Sequence, residues 1–374
     1  MCKNISLNTA LLLKNPKAVR KFYVFAAFLF PLVVGAQKID LDRFYFAVQF
    51  RSLPKMHLDS AYRTYNVEVE TTQLMNSFLN ELTPANSVLL DGWRKLDKNG
   101  HITIKVKIGD LLPESFSIKE QTETIKNKNG QITATKTTYF QEVNYTFDAT
   151  ASITDYKGMH IMEQELANRS YKQVYRSPGF PIRQLAKSYF LLNSMSVTKE
   201  LYRKSVNNAM HYLSDRLTDN FGFSEVSVRD HMWIIDSRKD PEYAAHRQAF
   251  RQMNDALFSM NASTSIENVR EQLKPVINYF EKIKTEYSGN SKHDRKIRYA
   301  SYFNLAVLYY YLDDPQSMMK EANGLVLNDF DTKDGKNLEQ TASYLKNLFQ
   351  ESNIYTRHFP INTTSFKGPK QKSF

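Results

Sequence analysis

Asp230-His231, with Asp236 and Trp233 close by, is the stretch whose residue types come nearest to acid–base chemistry. A carboxylate beside an imidazole can orient it and keep it poised to move a proton. Such a pair becomes a site only when base, orienter and nucleophile converge in space, and spacing along a chain does not supply that. The other histidines stand at positions 57, 101, 160, 211, 246, 293 and 358. No two of the eight are separated by four residues, the spacing that sets two rings on one helix face for a metal. The chain has no G-x-S-x-G elbow, no G-x-x-x-x-G-K phosphate loop and no H-E-x-x-H pair, and its 12 glycines form no dinucleotide fingerprint. Glu68 and Glu70 share one strand face but read as a wetted surface, because paired acids need a cleft that shifts their pKa values. Lys105 and Lys107 read as a solvated strand face. The sequence therefore offers no catalytic residue, no cofactor-binding residue and no metal ligand, and no cofactor is expected.

The elements that would position any site change in character along the chain. Ile102, Ile104, Val106 and Ile108 alternate with Thr103, Lys105 and Lys107, the period of a strand buried on one face. Phe44, Phe46, Val48 and Phe50 do the same, as do Tyr65, Val67 and Val69, and the longer run from Tyr139 to Phe147. The aromatic run at 44–50 offers a sugar-stacking platform or, more simply, a packed strand. Asp97–Gly100, Asn127–Gly130 and Asp155–Gly158 each end a reversal on glycine, the residue that tolerates a left-handed backbone. A short helix is expected over Thr71–Leu82. The breaker-rich loop Tyr175–Pro181 marks a domain boundary. Beyond it, helices are expected over about 183–192 and 198–220, the second closed by Gly222 as a left-handed cap. One strand follows over 223–235 and is available to pair with the sheet of the first half. From Asp240-Pro241 onward come helical runs, among them one interrupted by Pro275 and one opened by Asp314-Pro315.

The N-terminus carries a different signal. Lys3, Lys14, Lys17, Arg20 and Lys21 precede an apolar run from Phe22 to Gly35, with no acidic residue in the leader. A membrane-spanning helix needs about 20 apolar residues, so the run is short for an anchor. Val34 and Ala36 fit the small-residue pattern that a signal peptidase reads, with cleavage between Ala36 and Gln37. Removing residues 1–36 takes away five basic side chains, so the net charge of +11 falls to +6, and it takes away Cys2, the single cysteine. The remainder can form no disulfide and no thiolate site. Its mild charge is not the clustered footprint of a nucleic-acid binder.

Tyr302, Leu305, Ala306 and Tyr309, followed by Asp313-Asp314 and a second amphipathic helix, resemble a tetratricopeptide unit, matching the W-x2-L-G-x2-Y spacing of its first helix. Met318 stands where that family usually has alanine. The likeness covers about 34 residues, one repeat length. It implies a role in binding or assembling proteins, and it directs attention to Tyr302, Tyr309, Tyr310 and Tyr311 as partner-contacting residues. Asp59-Ser60-Ala61 is similar to a short O-glycosylation pattern of exported bacterial proteins.

The expectation is an α+β protein. Residues 1–36 form a signal peptide, 37–182 an antiparallel β-rich domain, 183–358 a helical domain of antiparallel hairpins, and 359–374 a disordered tail. The function expected is that of an exported accessory scaffold in the periplasm or at the surface of a Gram-negative bacterium. It would bind another envelope protein, with no nucleic acid and no stable membrane span. A hydrolase of envelope or imported polymers and a carbohydrate- or ligand-binding module are the alternatives.

Overall fold

The computed structural model describes residues 39–79 and 82–369. The expected signal segment and its cleavage point at Ala36 and Gln37 lie outside the described residues. The architecture is mixed α+β, strand-rich first and helical later. In chain order the elements are β1 (Leu41–Arg51), β2 (Thr64–Thr71), α1 (Gln73–Leu79), α2 (Pro84–Ser87), β3 (Arg94–Lys95), β4 (Ile102–Ile108), β5 (Leu112–Lys126), β6 (Ile132–Thr146), β7 (Ala149–Asp155), β8 (His160–Ala167) and β9 (Gln173–Arg176). Then follow α3 (Arg183–Phe221), β10 (Glu225–Ile235), α4 (Tyr243–Phe258), α5 (Glu267–Glu286), α6 (Lys292–Tyr311), α7 (Pro315–Leu327) and α8 (Thr332–Ser352).

Compact units do not divide the chain at the 175–181 loop. One unit holds residues 39–48 together with Arg229–Ser259 and Glu267–Leu345. The other holds Gln49–Val228, Met260–Ile266 and Lys346–Phe374. The chain changes unit inside β1 and again inside β10, so the first strand by sequence contributes to the helical unit.

The larger unit is built on a five-stranded sheet in the order β3-β2-β4-β7-β8 and a three-stranded sheet β5-β6-β9. The alternation read along β4 is real: Ile102, Ile104, Val106 and Ile108 are buried while Lys107 is exposed. The five-stranded sheet is not purely antiparallel. β2 runs parallel to both β3 and β4, with Tyr65 opposite Ile102 and Val69 opposite Val106. A parallel neighbour needs a crossover, and α1, α2 and the intervening loops supply it between β2 and β4. Gly130 and Gly158 take the left-handed backbone expected of them, but in the first turn Asn99 does so instead of Gly100. Gly100 is needed because a Cβ there would strike the backbone of Tyr65. Gly222 is extended, not left-handed, and its missing Cβ makes room for the Thr218 carbonyl.

α3 is one helix of 39 residues, where two were expected. The polar stretch around Asn193 does not break it, since the Asn193 amide donates to the Tyr189 carbonyl within the helix. Tyr202, Val206, Leu213 and Leu217 of its second half are fully buried, Tyr202 edge-on to Phe147 of the sheet region. The expected tail is ordered from 359 to 369. Phe359 N–H donates to the Ala262 carbonyl, and Arg94 donates to the carbonyls of Thr364 and Phe366.

In the helical unit, β1 pairs with β10 in a two-stranded ribbon, as the 223–235 strand allowed. The outer backbone of Trp233 is satisfied by a side chain: buried Asn304 of α6 accepts from its N–H at 2.9 Å and donates to its carbonyl at 2.8 Å. α4, α5, α6 and α7 pack each on the next. α4 starts at Tyr243, later than the Asp240-Pro241 signal, and Asp240 instead accepts from the Glu242 N–H. Asp314 caps α7 as read, accepting from Ser317 N–H at 2.9 Å.

Candidate functional site

Tyr302 lies in an open groove of about 660 Å³ bounded by α5, α6 and α7. α5 brings Glu281 and Lys284, and α7 brings Met319, Glu321, Gly324 and Leu327. The Tyr302 ring rests against α7 at Gly324, where any Cβ would overlap it. Leu327 stands at the rim, 85% exposed. The Tyr-x-x-Leu-Ala spacing of α6 explains the wall: Leu305 and Ala306 turn inward, and Ala306 packs with Met318 of α7 and Ala342 of α8. A small residue at 306 lets a bulky thioether fill the space that alanine leaves.

The floor is a charge cluster. Lys284 Nζ donates to Glu321 Oε2 at 2.5 Å and lies 2.8 Å from Glu281 Oε2. It also sits 4.8 Å above the Tyr302 ring, within cation–π range. Lys320 adds a looser contact at 3.7 Å to Glu321. Glu321 is fully buried, and burial pushes its carboxyl up, with the Lys284 ammonium pulling the other way. Burial also pushes Tyr309 up to about 12, helped by the charges of Glu321, Glu281 and Asp314. These groups answer one another, so the floor is a neutralised support and the groups free to meet a ligand are the apolar rim and the Tyr302 ring.

The four tyrosines singled out by sequence do not act together. Tyr302 reaches the groove, and Tyr309 and Tyr310 are half-buried against the Ala306–Met318 cluster. Tyr311 is buried, edge-on to Phe46, and its hydroxyl donates to Asp230 Oδ2 at 2.7 Å. It is a packing residue and is withdrawn as a partner contact. Helical spacing explains why: three consecutive residues point in three directions about 100° apart.

Asp236 is not brought to Asp230 and His231. Asp230 is occupied by Tyr311 and by the His231 backbone N–H, and its Oδ1 is 3.5 Å from His231 Nδ1. Asp236 instead pairs with Arg247 at 3.1 Å. The His231 ring is wedged among Tyr45, Trp233 and Phe303, and that burial lowers its pKa. Phe44 packs edge-on to Phe250, and Phe46 is buried, so the 44–50 run is not a stacking platform. Among the described residues, no cluster of three or more His, Cys, Asp or Glu could hold a metal ion.

In the larger unit, a smaller and more enclosed depression of about 410 Å³ is lined by His57, Asp59, Ser60, Arg63 and Trp93, among others. Asp59 serves its own turn there, accepting from the Ala61 N–H. Nearby, Tyr62 donates to Asp155 Oδ2 at 3.0 Å while the other Asp155 oxygen holds the backbone of the 155–158 turn. Sequence reading missed Lys284 and Glu321, though Lys284 is the basic residue in the last turn of α5 and faces the helices it packs on. Searches with the chain match no family model and no curated protein.

Proposed function

We propose that this protein is an exported accessory scaffold of the cell envelope that holds another protein, with no catalysis of its own. Its helical unit is read as a tetratricopeptide-like hairpin array. The reading is supported by one observation above all: the groove between α5, α6 and α7 has a charge-neutralised floor, a tyrosine laid across it and an apolar rim at Leu327 and Met319. Such a recess suits a peptide or helix that brings an apolar anchor. A hydrolase would need two acids free to share work across a cleft, and in this groove both glutamates are engaged by lysines. The partner enters along the rim and covers the Tyr302 ring.

The test is site-specific photocrosslinking from a reactive residue at position 327 in intact cells. A discrete adduct with one envelope protein, lost when Tyr302→Ala and Met319→Asp are introduced, is the expected result. An absent adduct, or one indifferent to both changes, removes the groove as the binding site.

A further inference from the structure

The first half of α3 carries an apolar face that nothing described covers. At about 3.6 residues per turn, Leu192 and Met195 line up with Tyr202, Val206 and Leu213 further along the same helix, with Leu185 and Leu191 on their flanks. The later three are fully buried, whereas Leu185, Leu192 and Met195 are 51%, 79% and 70% exposed, and Leu191 beside them is 81% exposed. The opposite side of this first half is the packed one. Phe190 lies 5.0 Å from Phe116 of β5, Tyr189 lies 5.4 Å from Phe180, and the Gln141 side chain accepts from the Phe190 N–H. Residues 185–195 are therefore apolar on both sides, the pattern of a helix buried all round, yet among the described residues only one side has a neighbour.

Two features decide what fits the open side. From 183 to 195 the helix carries Arg183 and Lys187 and no acidic residue, the first acid being Glu200 beyond the exposed patch. The exposed leucines and the methionine also protrude and line none of the described cavities. A shaped protein partner offers pockets; a fluid acyl layer accepts projecting side chains in any arrangement, and its anionic headgroups suit a cationic border. We propose that the 183–195 segment of α3 docks this protein on the surface of an anionic bilayer. Leu191, Leu192 and Met195 enter the headgroup–acyl boundary, and Arg183 and Lys187 engage lipid phosphates. This docking is independent of the groove between α5, α6 and α7.

The experiment uses the full chain and vesicles of phosphatidylcholine with or without phosphatidylglycerol. Because residues 22–35 are apolar as well, the readout must be local. An environment-sensitive dye is placed at Leu191→Cys in a Cys2→Ser background, with a second label at Asn129→Cys as reference. The expected result is a blue shift at 191 and none at 129, on phosphatidylglycerol vesicles only and reversed by salt. Affinity should fall about tenfold or more when Leu192→Ser/Met195→Ser or Arg183→Glu/Lys187→Glu is added to the labelled protein, with unchanged circular dichroism. No shift at 191 on anionic vesicles overturns the proposal. So does an equal shift on neutral vesicles, or light scattering that shows a dimer abolished by Leu191→Ser/Leu192→Ser, which would assign the face to a second copy.

Discussion

His246 of α4 is fully buried against Tyr279 and Phe280, and neither ring nitrogen has a hydrogen-bond partner. Burial, with the Arg247 charge adding to it, lowers its pKa to about 3. The unfolded chain takes up this proton near pH 6.5, so below that pH the unfolded state binds more protons than the folded one. The stability this neutral ring carries is whole above about pH 6.5 and is lost as pH falls toward 3, by up to about 1.4 kcal/mol per unit. Unfolding free energies from urea titrations at pH 7 and pH 5 should differ by about 2 kcal/mol on this account, and His246→Leu should remove that difference while costing little at pH 7. A difference unchanged by His246→Leu would show that other groups set it. Lys284 and Glu321 behave in the opposite manner, because each needs the other. Lys284→Met leaves Glu321 buried with only the looser Lys320 contact, which should cost about 3 kcal/mol. Lys284→Met/Glu321→Met removes both charges and should recover most of that loss. A double-mutant cycle on chemical unfolding measures the recovery, and additive losses would contradict a coupled pair.

Helix α7 carries Gly324 in its interior, where alanine would ordinarily gain about 1 kcal/mol. Here the new methyl would enter the Tyr302 ring, so Gly324→Ala should destabilise by about 1–2 kcal/mol. Gly324→Ala/Tyr302→Ala should regain the helical benefit relative to Tyr302→Ala alone, read from thermal midpoints. The Tyr302 spacing was legible in sequence, but its seat on a glycine of the next helix was not, because packing partners leave no mark at a fixed distance along the chain. β4 was legible because one face is wet and the other dry. β5 was not, since its residues are exposed on both sides and give no alternation to read. α3 was divided in two for a related reason. Its first half packs through Ala186 and Phe190 and its second through Tyr202 and Val206, so the packed side changes midway along the helix. Gly222 and Gly100 were recognised as turn glycines, but the need at each is space beside a neighbouring backbone.

At the scale of the whole chain, the C-terminal residues were read as disordered on composition, Pro, Gly and Lys among polar residues. The contacts that order them come from far away in sequence. Arg51 N–H donates to the Arg357 carbonyl, His358 Nδ1 meets the Asn261 carbonyl at 2.8 Å, and Phe359 packs edge-on to Phe223. Ile361 closes over Gly92, whose φ of 79° already requires glycine, and Arg94 donates twice to carbonyls at 364 and 366. A segment held this way is part of the fold of the larger unit, whatever its composition. Ending the chain after His358 uncovers the Phe223 ring and strands the Arg94 guanidinium at the surface. The apolar loss is that of roughly one large side chain, about 2–3 kcal/mol, while the exposed Arg94 bonds add little because water replaces them. The denaturation midpoint should therefore fall by that amount, and proteolysis between β3 and β4 should speed up as the Asn99 turn loses its contact with Gly368. A smaller truncation, ending at Lys367, should keep nearly all of the stability. If both truncations leave the midpoint unmoved, the 359–369 contacts carry no folding energy and the tail is ordered only as a passenger.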